Sequence, residues 1–131
     1  MQELCTAIEA AYTVSGGATA RGLLNELYYE MQPDQCAMPF ARYNIVSNDV
    51  DRAFGGVELR IIELQFSVFD DSPDKSACGS MIDAITALYD AATLSVSGWT
   101  VISFLRSANG VLRDGGGWHG MARYRAILQK T

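Results

Sequence analysis

The segment 57–70 carries the strictest alternation of apolar and polar side chains in the chain. Its central residues alternate in the order Glu63, Leu64, Gln65, Phe66, Ser67 and Val68. Because successive side chains of a β-strand point to opposite faces, this pattern predicts a strand with one buried face and one polar face. Leu59 and Ile61 have the opposite parity, and a β-bulge near Ile62 would reconcile them with the same buried face.

Two amphipathic helices are predicted, one before this strand and one after it. The first has the apolar residues Leu4, Ile8, Ala11 and Tyr12. Gly16 and Gly17 end it, since glycine favours the conformations in which a helix stops. The second begins with Ser72 as N-cap, Pro73 at the first helical position and Asp74 beside the positive end of the helix dipole. Its apolar residues are Ala77, Met81, Ile82, Ile85, Leu88 and Tyr89.

Four further strands are predicted from aromatic, β-branched or alternating residues. They are a short strand in the second half of 23–31, a strand over 40–47, and strands over 99–106 and 121–130. The polar segment 48–52, which leads to Gly55 and Gly56, predicts a loop. The glycine-rich segment 107–120 predicts a long loop, and long loops in compact domains are usually functional or ordered only on binding.

The order of these elements predicts one α+β domain over residues 1–131. Both helices are amphipathic and the best strands have one polar face, so we expect the two helices to cover one face of an antiparallel sheet. This α/β sandwich has about four to five strands, the last two forming a long C-terminal β-hairpin. A chain of 131 residues is long enough for one hydrophobic core and too short for two.

The composition indicates a protein–protein interface. Hydrophobic residues make up 49% of the chain and charged residues 19%, an apolar excess that a second protein surface would cover. Only Lys75 and Lys130 are lysines, and arginine, which supplies the other basic residues, is favoured at interfaces. The net charge of −5 argues against a surface that tracks nucleic acid.

The sequence has no recognisable catalytic, cofactor or metal site. His119 is the only histidine and has no serine or cysteine at a known motif spacing, so a surface histidine is expected. The glycines at 115–117 are not followed by the Lys-Ser/Thr pair of a phosphate loop. Asp70, Asp71 and Asp74 fit a helix start better than a cation site.

The three cysteines, Cys5, Cys36 and Cys78, have no CxxC spacing. They are expected to be buried free thiols of a protein in a reducing cytoplasm. A run of about 20 apolar residues is absent, as is the pattern of a signal peptide. We therefore expect no membrane contact.

Several short motifs stand in a fixed order within the segment 39–129. They are Pro39-Phe40 at the start of a strand, Gln65 to Phe69 at the end of the next, the helix 74–89, Gly98-Trp99, Leu112 to Asp114, Gly117-Trp118 and Tyr124. In this order they resemble the tail terminator, or tail completion, proteins of long-tailed bacteriophages. The resemblance covers most of the chain and lies in an order of elements rather than in a catalytic string.

The resemblance implies a structural virion protein with neither enzymatic activity nor a cofactor. Such proteins close into a hexameric ring that caps the finished tail tube and offers a docking face to the head. The implied partners are further copies of the chain, the tail tube protein and a head-completion or connector protein, while DNA passes through the channel without specific binding. The implied location is the tail or neck of the virion, after assembly in the host cytoplasm.

Three other functions remain open at this level. The chain could be another phage neck, head–tail connector or tail tube protein, since these share the same order of elements. It could also be a small enzyme or ligand-binding domain with an apolar pocket between helices and sheet. A bacterial regulatory or adaptor domain with one protein partner is the third. A closed ring in solution favours a tail protein, whereas a monomer with ligand-dependent melting favours the ligand-binding domain.

Assembly contacts are expected on the segment 107–120, with the segment 48–56 as a secondary contact. Trp118 would anchor the contact, or fold back on its own sheet, and Arg113 could pair with Asp114 across a subunit boundary. The expected interface residues are Arg113, Asp114, Trp118, His119, Asp49, Asp51 and Arg52. The acidic candidates for a channel or rim that repels DNA are Asp70, Asp71 and Asp74, together with Asp49 and Asp51.

Overall fold

A computed structural model describes residues 1–24, 26–31, 37–52 and 55–131, except for the side chains of Ser15 and Asp114. The helices are α1 (Gln2–Thr13), α2 (Ala18–Leu23) and α3 (Lys75–Ala91), with a 3₁₀ turn at Ser15–Gly17 between the first two. The strands are β1 (Leu27–Tyr29), β2 (Phe40–Arg52), β3 (Glu58–Asp70), β4 (Trp99–Asp114) and β5 (Gly117–Lys130). The predicted α+β class is confirmed, with α2 as a helix that the sequence pattern did not indicate.

The five strands form one sheet in the order β1-β2-β3-β5-β4. All neighbouring pairs are antiparallel except β1 and β2, which run parallel. The sheet is therefore mixed, whereas an antiparallel sheet was predicted. β1 has three residues. Neither its length nor its side chains specify whether it pairs parallel or antiparallel with β2, so its direction is set by the path of the chain into the sheet.

The core lies between the helices and one face of the sheet. The ring of Phe66 in β3 stacks on Tyr89 of α3 with centroids 4.4 Å apart, and Tyr124 of β5 meets Phe66 edge-on at 5.7 Å. The Tyr89 hydroxyl donates to the carbonyl O of Ile8 at 2.8 Å, which fixes α1 against α3. Aromatic contacts of this geometry add to the burial of apolar area, and they hold the helices on one face as predicted.

The predicted bulge near Ile62 is wrong. β3 pairs with β5 in continuous register from Leu59 to Asp70, and the register shift lies instead in β2, between Ile45 and Ser47. Leu59 and Ile61 are half-buried residues on the sheet face that points away from the helices, because neighbours in a strand alternate between faces. The alternation of side chains in the sequence fits both a β-bulge and a regular strand whose second face is partly apolar, so it could not distinguish between them.

The N-cap of α3 is Asp74, not Ser72. The Oδ1 atom of Asp74 accepts a hydrogen bond from the backbone N–H of Ser76 at 2.9 Å, and its Oδ2 accepts one from the Ser76 hydroxyl at 2.7 Å. Pro73 therefore precedes the helix. Serine and aspartate are equally good caps, so the sequence could not decide between two candidates placed two residues apart.

Two segments predicted as loops belong mainly to strands. β2 continues through the polar residues to Arg52 and pairs with β3 down to Glu58; residues 53 and 54 lie outside the described part. In the segment 107–120 only Gly115 and Gly116 form a turn, because Asp114 already pairs with Gly117. Gly115 has φ +60°, a conformation that glycine adopts at little cost. Cross-strand pairing outweighed the low strand propensity of these residues.

Cys5 and Cys78 are buried free thiols, as predicted; Cys36 lies outside the described residues. Burial is the main cause that raises the pKa of both thiols above its usual value. In the described part of the chain, no helix is long and apolar enough to cross a membrane.

Candidate assembly surface

The tip of the β4–β5 hairpin is anchored to its own domain. Trp118 faces Asp70 across the β3–β5 ladder, and its indole Nε1 donates to the carbonyl O of Pro73 at 3.4 Å. Gly117 approaches β3 so closely that a Cβ would clash with the carbonyl O of Asp70. The tip is thus packed against the end of β3 and the start of α3, and Trp118 is half-buried without any partner protein.

Arg113 is the exposed member of the predicted hairpin contact. Its guanidinium carbon lies 5.5 Å from the centroid of the Trp118 ring, a distance at which a cation is attracted to an aromatic face. Arg113 and Trp118 are opposite each other in the ladder and so share the sheet face that carries the helices. The side chain of Asp114 lies outside the described part, so the predicted pairing of Arg113 with Asp114 stays a prediction.

His119 lies on the opposite face of the sheet, in a row of aromatic rings. Its imidazole stacks on Phe69 with centroids 4.6 Å apart and an interplanar angle of 14°. Phe69 in turn stacks on Phe40 at 5.2 Å, and the guanidinium carbon of Arg42 lies 4.9 Å from the Phe69 centroid. His119 is therefore half-buried in a packed cluster rather than a surface histidine as expected.

The three carboxylates near the start of α3 have three different environments. Asp70 is buried, with 5% of its surface exposed, and its Oδ1 atom accepts from the backbone N–H of Ser72 at 3.3 Å. Asp71 is exposed. Asp74 caps α3, and the hydrogen bonds from the N–H and hydroxyl of Ser76 hold its pKa below the usual value. All three lie at the end of the sheet that carries Trp118.

Asp49, Asp51 and Arg52 lie at the other end of the sheet. Asp49 and Asp51 pair with residues 61 and 59 of β3 and therefore project from the face that points away from the helices. The Arg52 guanidinium lies 3.7 Å from the Oε1 atom of Glu58. All three predicted residues are exposed, and the structure does not bring them near the hairpin tip.

The sheet face that points away from the helices carries a polar band that the sequence analysis did not predict. Arg123 donates from Nη2 to the Oε1 atom of Gln65 at 2.8 Å, and Gln65 donates from Nε2 to the Ser67 hydroxyl at 3.2 Å. Arg125 lies opposite Glu63 in the same ladder. Each residue alone looks like the polar member of an alternating strand, so only the register of β3 with β5 shows that they form one band.

Within the described ranges, no group of three or more histidine, cysteine, aspartate or glutamate side chains could hold a metal ion. Those ranges include the carboxylates at positions 70, 71 and 74. What the surface offers is one tightly packed hairpin tip, a band of arginine and amide groups, and exposed strand edges. Of these features, arginine is enriched in protein interfaces.

The sequence model of a protein family described as "Tail completion protein gp17" matches residues 5–129 of the chain, nearly its whole length. The chain belongs to this tail completion family. As a tail completion protein it is a structural component of a virion and has its place in the tail or neck, as the resemblance implied. This membership supports the tail protein over the ligand-binding and adaptor domains that the sequence left open.

A solved structure supports the fold of this tail completion protein. The chain superposes with a TM-score of 0.75 on a chain of the "Virion of native gene transfer agent (GTA) particle", with 15% sequence identity, covering 95% of this chain and 92% of the other. At that identity the match establishes the fold. The curated proteins contain no significant match.

Proposed function

We propose that the protein closes into a ring of six copies that caps the finished tail tube and provides the face to which the head joins. The observation that carries this proposal is the match of residues 5–129 to the tail completion family. Its partners are then the neighbouring copies in the ring, the tail tube protein on one side and a head-completion or connector protein on the other. Assembly takes place in the host cytoplasm.

The sheet supports ring closure because its two long open edges run in opposite directions. Within the described residues, β4 pairs only with β5, so its other edge is open along its length. β1 covers β2 only up to Tyr43, and no other strand of the described ranges pairs with the rest of that edge. Since three successive antiparallel pairs separate β2 from β4, a rotated copy would present its β2 antiparallel to β4. A head-to-tail contact that repeats by rotation closes a ring.

Exposed apolar side chains lie on both edges. On β4, Ile102, Leu105 and Leu112 expose 54%, 67% and 51% of their surface. On β2, Val46 and Val50 expose 45% and 50%. Unpaired strand edges that bear apolar residues favour pairing with another chain, which supports a contact between β4 of one copy and β2 of the next.

The predicted interface residues would lie at the two ends of such a contact. Arg113, Asp114, Trp118 and His119 lie at the hairpin end of β4 and β5, and Asp49, Asp51 and Arg52 lie towards the far end of β2. Because Trp118 is packed on its own domain, Arg113 is the better candidate for a contact that a neighbouring copy makes. An exposed arginine beside an aromatic ring is common in protein interfaces.

The proposed channel passes DNA without binding it. Six copies at −5 each carry about −30, and a surface of that sign repels phosphates. Asp49, Asp51 and Asp71 are exposed and are the proposed channel or rim residues. Asp70 is buried and Asp74 caps a helix, which argues for a structural role of these two candidates. Measurable affinity of the assembled ring for duplex DNA at physiological salt would contradict this part of the proposal.

Light scattering and negative-stain microscopy at high protein concentration, with and without tail tubes, test the ring. We expect closed rings in at least one of the two settings. Leu105→Glu should prevent their formation, because it places a charge in the proposed edge contact. Val14→Glu is the matched control, since Val14 is also an exposed apolar residue (56%) but lies after α1. A strict monomer in both settings, or equal effects of the two variants, would refute the proposal.

A further inference from the structure

The short strand β1 occupies the part of the β2 edge that the hairpin end of a neighbouring β4 would need. This inference rests on the proposed contact between β4 of one copy and β2 of the next. Within one copy, the ladders from β2 through β3 and β5 place residues 109–111 of β4 at the same height in the sheet as residues 41–43 of β2. Residues 41–43 already pair with residues 27–29 of β1. One edge cannot hold both strands.

The two open edges match chemically when neighbouring copies stand at equal height, as they do after rotation about an axis parallel to the strands. In that register residues 99–108 of β4 face residues 44–52 of β2, and none of the facing pairs brings like charges together. An apolar pair and two pairs of a hydroxyl donor with a carboxylate favour the contact. These pairs are Val101 with Val50, Thr100 with Asp51 and Ser103 with Asp49.

A shifted register would avoid β1 only by losing this match. A slip of one residue reverses the faces of a strand, so β4 would have to slide by about six residues to clear β1 with its faces kept. Leu105 and Ile102 would then lie beyond Arg52, the last residue of β2. Their surfaces, which are 67% and 54% exposed, would gain no cover from β2. Sliding the opposite way keeps other residues of β4 on the edge that β1 occupies.

The attachment of β1 to β2 is short. β1 has three residues and runs parallel to β2, and parallel pairing is slightly less stable per residue than antiparallel pairing. Two backbone hydrogen bonds flank the pairing, from the N–H of Ala41 to the carbonyl O of Glu26 at 2.9 Å and from the N–H of Glu30 to the carbonyl O of Tyr43 at 2.8 Å. An antiparallel strand from another copy would offer the same edge a longer ladder.

The hairpin end of β4 also brings apolar side chains to the positions that β1 fills. At equal height Val111 takes the place of Leu27 on the sheet face that carries the helices. Leu112 arrives beside Phe40, whose ring now meets Tyr28 edge-on at 6.0 Å. Leu112 exposes 51% of its surface in the single chain and would be covered by this contact. One apolar set thus replaces another, and a small difference in free energy decides between the two states.

We propose that β1 is an occluding strand, which keeps the free chain from closing into the ring and leaves β2 when the end of a neighbouring β4 takes its place. A covered strand edge resists pairing with another chain. The burial of Leu27, which is 8% exposed, is lost in the exchange, so a free chain retains β1. Copies that are held side by side at the end of a tail tube exchange it for β4, and the ring closes there.

Hydrogen exchange measured by mass spectrometry on the wild-type ring and on the free chain tests the exchange of strands. The Leu105→Glu variant supplies the free chain. We expect the amides of residues 27–30 to exchange at least tenfold faster in the ring, because the N–H of Glu30 loses its bond to Tyr43. The amides of residues 109–112 should exchange at least tenfold more slowly, and those in the middle of α3 should not change. Equal or slower exchange of residues 27–30 in the ring would overturn the proposal.

A disulfide that fastens β1 to β2 is the second test. Tyr28→Cys and Arg42→Cys introduce cysteines at facing positions, with Cys36→Ser to remove a competing thiol. The oxidised chain should form at least tenfold fewer rings than the same chain after reduction, which is the matched control because its side chains are identical. If the reduced variant also forms no rings, hydrogen exchange on the wild-type protein decides.

The two proposals can be told apart by which samples form rings. Normal rings from the oxidised chain would refute the occluding role of β1 and leave the proposed ring intact. A wild-type protein that forms no rings, with or without tail tubes, would instead refute the ring and the role of β1 with it.

Discussion

Gly120 of β5 lies directly against Ile82 of α3. A Cβ at position 120 would lie 3.1 Å from Sγ of Cys78, 3.3 Å from Cδ1 of Ile82 and closer still to its Cγ1. The missing side chain thus lets α3 approach the sheet, and the contact fixes the distance between the two layers. Any larger residue must push the helix away from a tightly packed core.

Gly120→Ala should therefore lower the free energy of unfolding by about 1–3 kcal/mol, the range found for overpacked cores. Urea denaturation followed by circular dichroism measures this change. Gly110→Ala is the matched control, because Gly110 lies in the neighbouring strand with open space around the position of a Cβ. A control variant that is equally destabilised would show that strand glycines, rather than the contact with α3, set the stability.

The domain should lose stability above about pH 10, as its buried tyrosines ionise. Burial is the main cause that raises the pKa of Tyr43, Tyr89 and Tyr124 above the usual 10.0. A phenol whose pKa is raised in the folded state contributes stability that is present below the unfolded pKa and is lost as pH rises past it. Absorbance at 295 nm and circular dichroism, recorded against pH, should show ionisation and unfolding in one step. Smooth ionisation of all tyrosines in a folded protein would contradict this expectation.

Asp74→Ala should lower the melting temperature at neutral pH, because it removes the N-cap of α3. The hydrogen bonds from Ser76 hold the pKa of Asp74 below its usual 3.8. A depressed pKa means that the stabilisation is present above the unfolded pKa and is lost as pH falls through the folded one. The difference between variant and wild type should thus shrink below about pH 4. Asp83→Ala, in the interior of the same helix, should not lower the melting temperature, since alanine favours helix.

Arg113→Glu should abolish ring formation with little change in the melting temperature. Arg113 is exposed and makes its described contact with the face of Trp118, so its loss costs the monomer little. Trp118→Ala, in contrast, removes packing and the bond to Pro73 and should lower the melting temperature as well. Analytical ultracentrifugation and differential scanning calorimetry on both variants separate these effects. Normal assembly of Arg113→Glu would place the interface elsewhere on the sheet or helices.

The structure does not bring the predicted hairpin residues and the predicted β2 residues into one site, since they occupy opposite ends of the sheet. In the proposed ring contact between strand edges, both sets would still meet a neighbouring copy.

The sequence by itself determined the α+β class, the two long helices and the main strands, because hydrophobic periodicity records which side of each element faces a core. The predicted apolar face of β3, with Leu64, Phe66 and Val68, is buried, and so is the predicted stripe from Met81 to Tyr89 in α3. Signals of this kind are local and need no knowledge of the partner element. The family resemblance, too, rested on the order of such elements.

Tertiary structure alone decided how far the strands extend and which side chains meet. Residues 48–52 and 107–114 look like loops in isolation, but each segment is paired along one edge with a neighbouring strand. The register of β5 with β3 places Trp118 opposite Asp70, and the pattern of one strand contains no information on register with another. Pairing between distant segments is a property of the whole fold, so no local pattern could show which side chains meet across the sheet.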